Sequence, residues 1–171
     1  MPQPITVLGA CHTLISFVPF GAGLYSFIRY RHIDSTRPSG HLYLIGLTVA
    51  VFTSFGLSST GGFNIGHALG ILALLAVITV LFVIPRLSFL GQTRPYLSLL
   101  GLNFSFFLLL VPGINETLTR LPVSHPLADG PMSPWVRGVL AGWLALFALG
   151  SAIQLWWFHA KRNRARYVAL D

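Results

Sequence analysis

Apolar residues in this chain come in long, nearly unbroken runs rather than in the half-apolar patterns of soluble helices and strands. A helix needs about 20 apolar residues to cross the hydrocarbon core of a bilayer. The runs predict five transmembrane helices, at residues 5–28, 41–60, 64–84, 96–111 and 134–159. The predicted fold class is therefore an all-α, polytopic membrane helix bundle, with residues 1–171 forming a single transmembrane helical domain.

Short polar segments separate the runs. The longest, residues 112–133, is predicted to be an external loop that begins at a Pro-Gly pair. Glu116 and Arg120 within it are spaced to pair at i, i+4 on a short helix. Residues 160–171 are predicted to form a basic cytoplasmic tail.

Composition supports lipid rather than water as the solvent for most of the chain. Hydrophobic residues make up 54% and charged residues only 9%, whereas a soluble domain has roughly 25% charged residues. The net charge of +7 is distributed unevenly between the two sides of the predicted bundle. One side has two basic residues, Arg120 and Arg137, and the other has nine: Arg29, Arg31, Arg37, Arg86, Arg94, Lys161, Arg162, Arg164 and Arg166.

This asymmetry predicts an orientation. Basic residues are enriched in the cytoplasmic loops of membrane proteins, so the start of the first helix is expected outside and the C-terminus inside. The predicted location is the bacterial cytoplasmic (inner) membrane. Orientation then explains the basic charge, and nucleic acid is not an expected partner.

The histidines are the main candidates for chemistry. His12 and His67 lie near the outer ends of the first and third predicted helices, and His41 and His159 lie at the cytoplasmic ends of the second and fifth. Two imidazoles from different helices supply the axial ligands of b-type haem. The hypothesis is a small redox-associated subunit that binds haem b through these candidate ligands and takes part in electron transport.

Two other interpretations remain open, and with them whether the protein is an enzyme. The histidines could instead cap helices and bond neighbours, in a non-catalytic structural or assembly subunit. Imidazole and carboxylate ligands also suit zinc or copper. A metal site at the outer face would draw on His12, His67, Glu116 and His125.

Two Gly-x-x-x-Gly motifs are candidate packing faces, Gly66/Gly70 in the third helix and Gly138/Gly142 in the fifth. Small residues four apart let another helix approach closely. They serve either packing within the bundle or contact with a second copy or a larger membrane complex. Membrane lipid is the other expected partner.

A few polar and aromatic side chains within the runs also carry expectations. Polar groups in membrane helices usually bond across to another helix, and this is expected of Ser54, Asn103, Ser105 and Gln154. Tyr43 is expected near the inner membrane boundary, with other aromatic residues of that region.

The segments Gly40–Gly46 and Gly61–Leu69, with a histidine in the first helix and a basic loop between, resemble a family of bacterial predicted membrane proteins known only as a domain of unknown function. The resemblance covers residues 10–110. It implies membrane location, four or five helices and a shared pattern of His12, His41 and His67, and it implies no activity. The chain departs from the family where the fourth helix opens, since Thr93–Tyr96 stands in place of a His-Arg-Arg motif.

Overall fold

The computed structural model describes residues 6–57, 62–122 and 124–168, with side chains up to residue 162. All regular structure in these residues is helical, and it forms five main helices. Their bounds are α1 Val7–Tyr30, α2 Pro38–Ser54, α3 Ile65–Ile78, α4 Arg94–Arg120 and α5 Pro134–Val168. α3 is continued by a π-helical turn, Thr79–Val83, and a 3₁₀ turn, Ile84–Arg86, and a second 3₁₀ segment, Ser88–Thr93, leads into α4.

The helix ends have identifiable local causes. The Thr6 hydroxyl oxygen accepts a bond from the Gly9 N–H at 3.0 Å and caps the start of α1. Arg31 ends that helix in a left-handed conformation, with φ of 66°, and its N–H donates to the Phe27 carbonyl. Pro38 opens α2, where its fixed φ suits the first helical position and its missing N–H costs nothing.

Consecutive helices run antiparallel. Between α1 and α2, His12 contacts Thr53 at one end and the Ser26 hydroxyl donates to Ser39 at the other. Between α4 and α5, the Trp143 indole donates to the Phe107 carbonyl and Tyr96 contacts His159. Residue numbers rise along one helix of a pair and fall along the other. The ends of the helices therefore lie at two opposite ends of the bundle.

α4 occupies the centre of the bundle and packs against α1, α3 and α5. Its Phe106 ring contacts Phe20 and Phe27 of α1, Tyr43 of α2 and Trp143 of α5. α2 packs against α1 and α3. Burying one aromatic ring among four helices fixes their spacing, because aromatic side chains bury a large apolar area.

The outer surface of the bundle suits a lipid environment. Four helical stretches in the described residues are long and apolar enough to cross a membrane: Val7–Tyr30, Ile65–Arg86, Ser88–Arg120 and Pro134–Arg162. Large apolar side chains such as Phe17, Leu146 and Ile153 are more than 60% exposed on this surface. Contiguous apolar surface of this extent is not left in water by a soluble protein.

The fourth helix is longer than the sequence pattern indicated. The prediction ended it at residue 111 because proline often stops helices, but α4 continues through Pro112 to Arg120. The added turns are supported by hydroxyl groups that bond back along the helix, from Thr117 to the Gly113 carbonyl and from Thr119 to the Asn115 carbonyl. The loop predicted at residues 112–133 is accordingly confined to residues 121–133.

Two other predicted boundaries were also wrong. The second helix ends at Ser54 rather than residue 60, because a turn begins at Phe55, and residues 58–60 lie outside the described part. The fifth helix continues to Val168, so most of the segment predicted as a tail at residues 160–171 is helical.

Candidate functional site

His67 is the most constrained polar residue at the end of the bundle where α1 and α3 begin, which we call the His67 end. Asn64 caps α3 by accepting the His67 N–H at 3.0 Å, and the Asn64 N–H donates back to His67 Nδ1 at 3.2 Å. This reciprocal arrangement is a capping box in which imidazole replaces the usual Glu or Gln. The residue as a whole is buried, with 4% of its surface exposed.

The second ring nitrogen of His67 ties α3 to the end of α2. Nδ1 accepts a backbone N–H, so the ring proton lies on Nε2, which donates to the Ser54 carbonyl at 2.9 Å. The ring also stacks on Phe55 at 5.1 Å and contacts Phe63 at 5.7 Å. Both nitrogens are therefore used within the chain, and neither offers a free lone pair to iron or another metal.

His12 lies at the same end, one helix away, and is held less fully. Its Nδ1 lies 2.9 Å from the Thr53 hydroxyl. That hydroxyl lies 3.0 Å from both the Val49 and Ala50 carbonyls, so its proton points to the backbone and it accepts from Nδ1–H. His12 Nε2 keeps its lone pair and makes only a long contact of 3.5 Å to the Ser16 hydroxyl.

The structure places His12 and His67 on successive residues of the last turn of α2. His12 bonds Thr53, and His67 bonds the carbonyl of Ser54. The predicted haem pair thus shares one end of the bundle. His67 as held does not fit an axial ligand, because ligation would break either the capping box or the bond to α2.

The four residues of the predicted metal site are not gathered into a ligand set. Glu116 forms an ion pair with Arg120 one turn further along α4. His125 is exposed in the link between α4 and α5. Within the part of the chain that the structure describes, no group of three or more His, Cys, Asp or Glu side chains is arranged to hold a metal ion.

His32 and His159, at the opposite end, which we call the basic end, bond to backbone and aromatic groups. His159 Nδ1 lies 3.1 Å from the Tyr96 hydroxyl of α4. His32 lies 2.9 Å from the Tyr30 carbonyl and packs edge-on against Phe158. His41, the predicted haem partner of His159, is exposed in the first turn of α2.

Basic side chains at this end pack on aromatic rings. Arg29 and Arg37 lie over Tyr30, Arg31 and Lys161 over Trp157, and Arg162 over Tyr96, at 5.3 to 5.7 Å from the ring centres. Such contacts keep cations at the level of interfacial aromatic rings. Basic and aromatic residues are concentrated at the same helix ends of the sequence because their side chains pack on each other here.

Asp34 stabilises the link between α1 and α2 at the basic end. Partial burial acts to raise the pKa of its carboxyl group, but hydrogen bonds from the Thr36 hydroxyl and N–H outweigh this and hold the pKa below its usual value. The carboxylate also pairs with Arg37 at 3.6 Å. It therefore serves the local turn.

Two polar connections lie inside the bundle. The Tyr43 and Ser105 hydroxyls are 2.7 Å apart, and the Asn103 amide donates to Gln154 and to Ser151. The interhelical bonds expected of Asn103, Ser105 and Gln154 are confirmed. Ser54 differs, since its hydroxyl bonds Val51 of its own helix and its carbonyl makes the interhelical bond.

Tyr43 is a core residue whose packing the sequence pattern did not indicate. Its ring is fully buried between α2 and α4, and its depth near the inner membrane boundary stays a prediction. The signal that would have indicated this burial is a small residue on each neighbouring helix, Gly23 of α1 and Ser105 of α4, which leave room for the ring and supply a hydroxyl partner.

The two glycine motifs have different surroundings. A Cβ added at Gly70 would lie 3.1 Å from Val51 of α2, so this glycine permits packing within the chain. A Cβ at Gly138 or Gly142 would meet no atom of the described chain within 4 Å. The Gly138/Gly142 face of α5 is thus directed away from the bundle.

No protein-family profile, curated protein or solved structure matches this chain.

Proposed function

We propose that the protein is an integral subunit of the bacterial cytoplasmic membrane with a non-catalytic, structural or assembly role. In this proposal five helices cross the bilayer, α1 begins outside and α5 ends inside. The histidines hold the bundle together, and the Gly138/Gly142 face of α5 joins a second copy or another membrane protein.

α2 is the helix whose crossing needs support, because its 17 residues span about 26 Å at 1.5 Å per residue. The hydrocarbon core is about 30 Å thick. α2 pairs with α1 from Ser39 at one end to Thr53 at the other, opposite Ser26 and His12. Because α2 runs alongside α1 over this length, it crosses the bilayer together with α1. The turn after Ser54 supplies the few ångströms by which α2 is shorter than the hydrocarbon core.

The orientation is supported by the charges at the two ends. The basic end includes Arg29, Arg31, Arg37, Arg86, Arg94, Lys161 and Arg162, whereas Arg120 and Arg137 belong to the His67 end. The rule that basic residues face the cytoplasm then puts the His67 end outside.

One observation supports the structural role most directly: both ring nitrogens of His67 are used within the chain. A ligand histidine keeps one nitrogen for the metal and orients the ring through the other. His67 instead closes the α2–α3 connection. This favours the assembly subunit over the haem protein, which stays a prediction.

The partner surface is supported by the position of α5. This helix packs along α4, and its other side exposes Leu146, Leu149 and Ile153 to more than 60%. Gly138 and Gly142 lie on an open part of that helix. Two helices associate in lipid where small residues let their backbones approach.

An absorption spectrum separates the assembly subunit from the haem protein. The protein, purified in detergent from cells supplied with a haem precursor, is expected to be colourless. A Soret band with split α and β bands on reduction, lost in His12→Ala and in His67→Ala, would instead establish haem and reject the proposal.

A second experiment tests the partner surface. Gly142→Leu places a bulky side chain on the open face, so crosslinked dimers or hetero-complexes in native membranes should fall about tenfold if close helix approach is lost. Gly21→Leu is the matched control, because a Cβ there also meets nothing within 4 Å. Equal crosslinking in wild type and Gly142→Leu would exclude this face as the interface.

A further inference from the structure

An apolar groove runs between α3 and α4 on the outer surface of the bundle. Its volume is about 520 Å³, and its walls come from both helices and from the 3₁₀ segment that joins them. The lining includes Leu75, Ala76, Val83, Leu90, Leu97 and Gly101. The groove is lined almost wholly by carbon, and it opens where lipid would surround the protein.

Two features of the backbone form this groove. α3 changes from α- to π-helical geometry over Thr79–Val83, and Thr79, Val80 and Val83 of this turn line the groove. π-helical turns are rare and occur frequently at functional sites. Opposite the turn, a Cβ on Gly101 would lie only 2.4 Å from Val80, so the two helices approach closely and form the floor.

Arginines lie near one end of the groove, beyond the residues that line it. The Arg94 guanidinium donates from Nε and Nη2 to the carbonyl of Leu87, a lining residue, at 3.1 and 2.9 Å. Arg86 is the exposed residue next to Leu87 and donates to the Phe82 carbonyl. Arg162 reaches the Gln92 carbonyl at 3.0 Å.

These arginines have no carboxylate partner within the described side chains. The ion pairs found there join Arg37 to Asp34 and Arg120 to Glu116. Backbone carbonyls accept some of the guanidinium protons but carry no net charge. Each guanidinium has five N–H donors, so donors and positive charge remain for an anion at the mouth of the groove.

We propose that the groove is a binding site for an anionic glycerophospholipid, with one acyl chain lying between α3 and α4 and the phosphate held by Arg86 and Arg94. The apolar walls match the acyl chain, and the uncompensated charge at the mouth matches an anionic headgroup. Basic pockets between transmembrane helices on the cytoplasmic side bind such headgroups. The arginines select the lipid by the negative charge of its headgroup, and the groove selects it by the shape of its acyl chain.

Native mass spectrometry of the full-length protein in detergent tests this site. Dioleoylphosphatidylglycerol and dioleoylphosphatidylcholine are added in equal amounts, and the protein is expected to retain the anionic lipid preferentially. Arg86→Gln should lower that preference about fivefold, as expected for one basic residue near a lipid headgroup. Arg137→Gln, a basic residue of the opposite end, should leave it unchanged.

Filling the groove tests the acyl-chain part of the site. Ala76→Phe should remove the retained lipid, whereas Ala148→Phe, on exposed surface of α5, should not. Leu97→Trp, with Leu14→Trp on the exposed surface of α1 as its control, provides a second pair in case Ala76→Phe does not fold. Equal retention of both lipids by the wild type, or lipid loss no greater in the groove variants than in their controls, would overturn the proposal.

The lipid site requires membrane insertion but not the assembly role. A protein that stays monomeric and still selects the anionic lipid would remove the partner surface and keep the site. A protein that forms the complex but retains both lipids equally would reject the lipid site and keep the partner surface.

Discussion

At the scale of single residues, His67 shows how a polar side chain can be accommodated at the end of a membrane helix. Its two nitrogens accept one backbone N–H and donate to one backbone carbonyl. Without the imidazole the Asn64 N–H would lie unpaired, which is costly for a buried polar group, and the Ser54 carbonyl would keep only the bond from the Leu57 N–H. The imidazole ring is long enough to connect α3 with α2, which a shorter cap would not reach.

His67→Ala is expected to lower the free energy of unfolding by about 2 kcal/mol, because it leaves the Asn64 N–H without its partner and removes the bond that ties α3 to the Ser54 carbonyl of α2. The measurement is an SDS titration of the protein in mixed micelles, followed by circular dichroism. His41→Ala serves as the control, since His41 is exposed. A loss no larger than that of the control would show that His67 is not a structural connection.

At the scale of helices, α1 and α2 approach each other closely. Pro19 lies inside α1 and is buried against Gly46 of α2, where an added Cβ would meet the proline Cδ at 2.8 Å. The proline ring removes a backbone donor, and glycine opposite provides the room that the ring needs. Pro19 therefore acts as a packing element.

Gly46→Ala should destabilise the bundle by about 1 to 3 kcal/mol, the usual effect of adding a methylene to a well-packed contact. The same micelle titration measures this loss. Gly21→Ala adds the same group to α1 where nothing lies within 4 Å, and it should be neutral or slightly stabilising because alanine favours helix. If Gly46→Ala matched Gly21→Ala, the close contact would not contribute to stability.

The fourth helix shows a limit of reading elements from composition. Pro112-Gly113 looks like a stop because both residues disfavour helices in water. In a membrane helix the freed backbone groups are satisfied by neighbouring side chains and helices, so proline is tolerated. The polar sequence after Pro112 is helical because its threonines and the Glu116–Arg120 pair bond along the helix.

At the scale of the molecule, the helices differ in how many neighbours they have. α4 contacts α1, α3 and α5 and carries the ring of Phe106 into the core. α5 packs along α4 and touches the α1–α2 link through His32 and Arg31. A peripheral helix of this kind keeps a free face, and that face is where the proposed partner binds.

The charge layer is also a property of the whole molecule. Arginines from the α1–α2 link, the α3–α4 connection and the end of α5 come to one end because the helices alternate in direction. The same alternation brings Arg162 of α5 to the α3–α4 connection, where it bonds the Gln92 carbonyl in the segment between Arg86 and Arg94. The charge asymmetry that predicts the orientation thus also supplies the positive charge of the proposed lipid site.

The sequence by itself determined the helical class, the apolar runs and the separation of nine basic residues from two, because these follow from local composition and from the thickness of a bilayer. It also identified Asn103, Ser105 and Gln154 as interhelical groups. Only the tertiary structure decided the partners of the histidines. His67 bonds a carbonyl 13 positions away, and the groove depends on a π-turn facing Gly101. Such contacts depend on which helices are neighbours, and hydrophobic periodicity does not encode that.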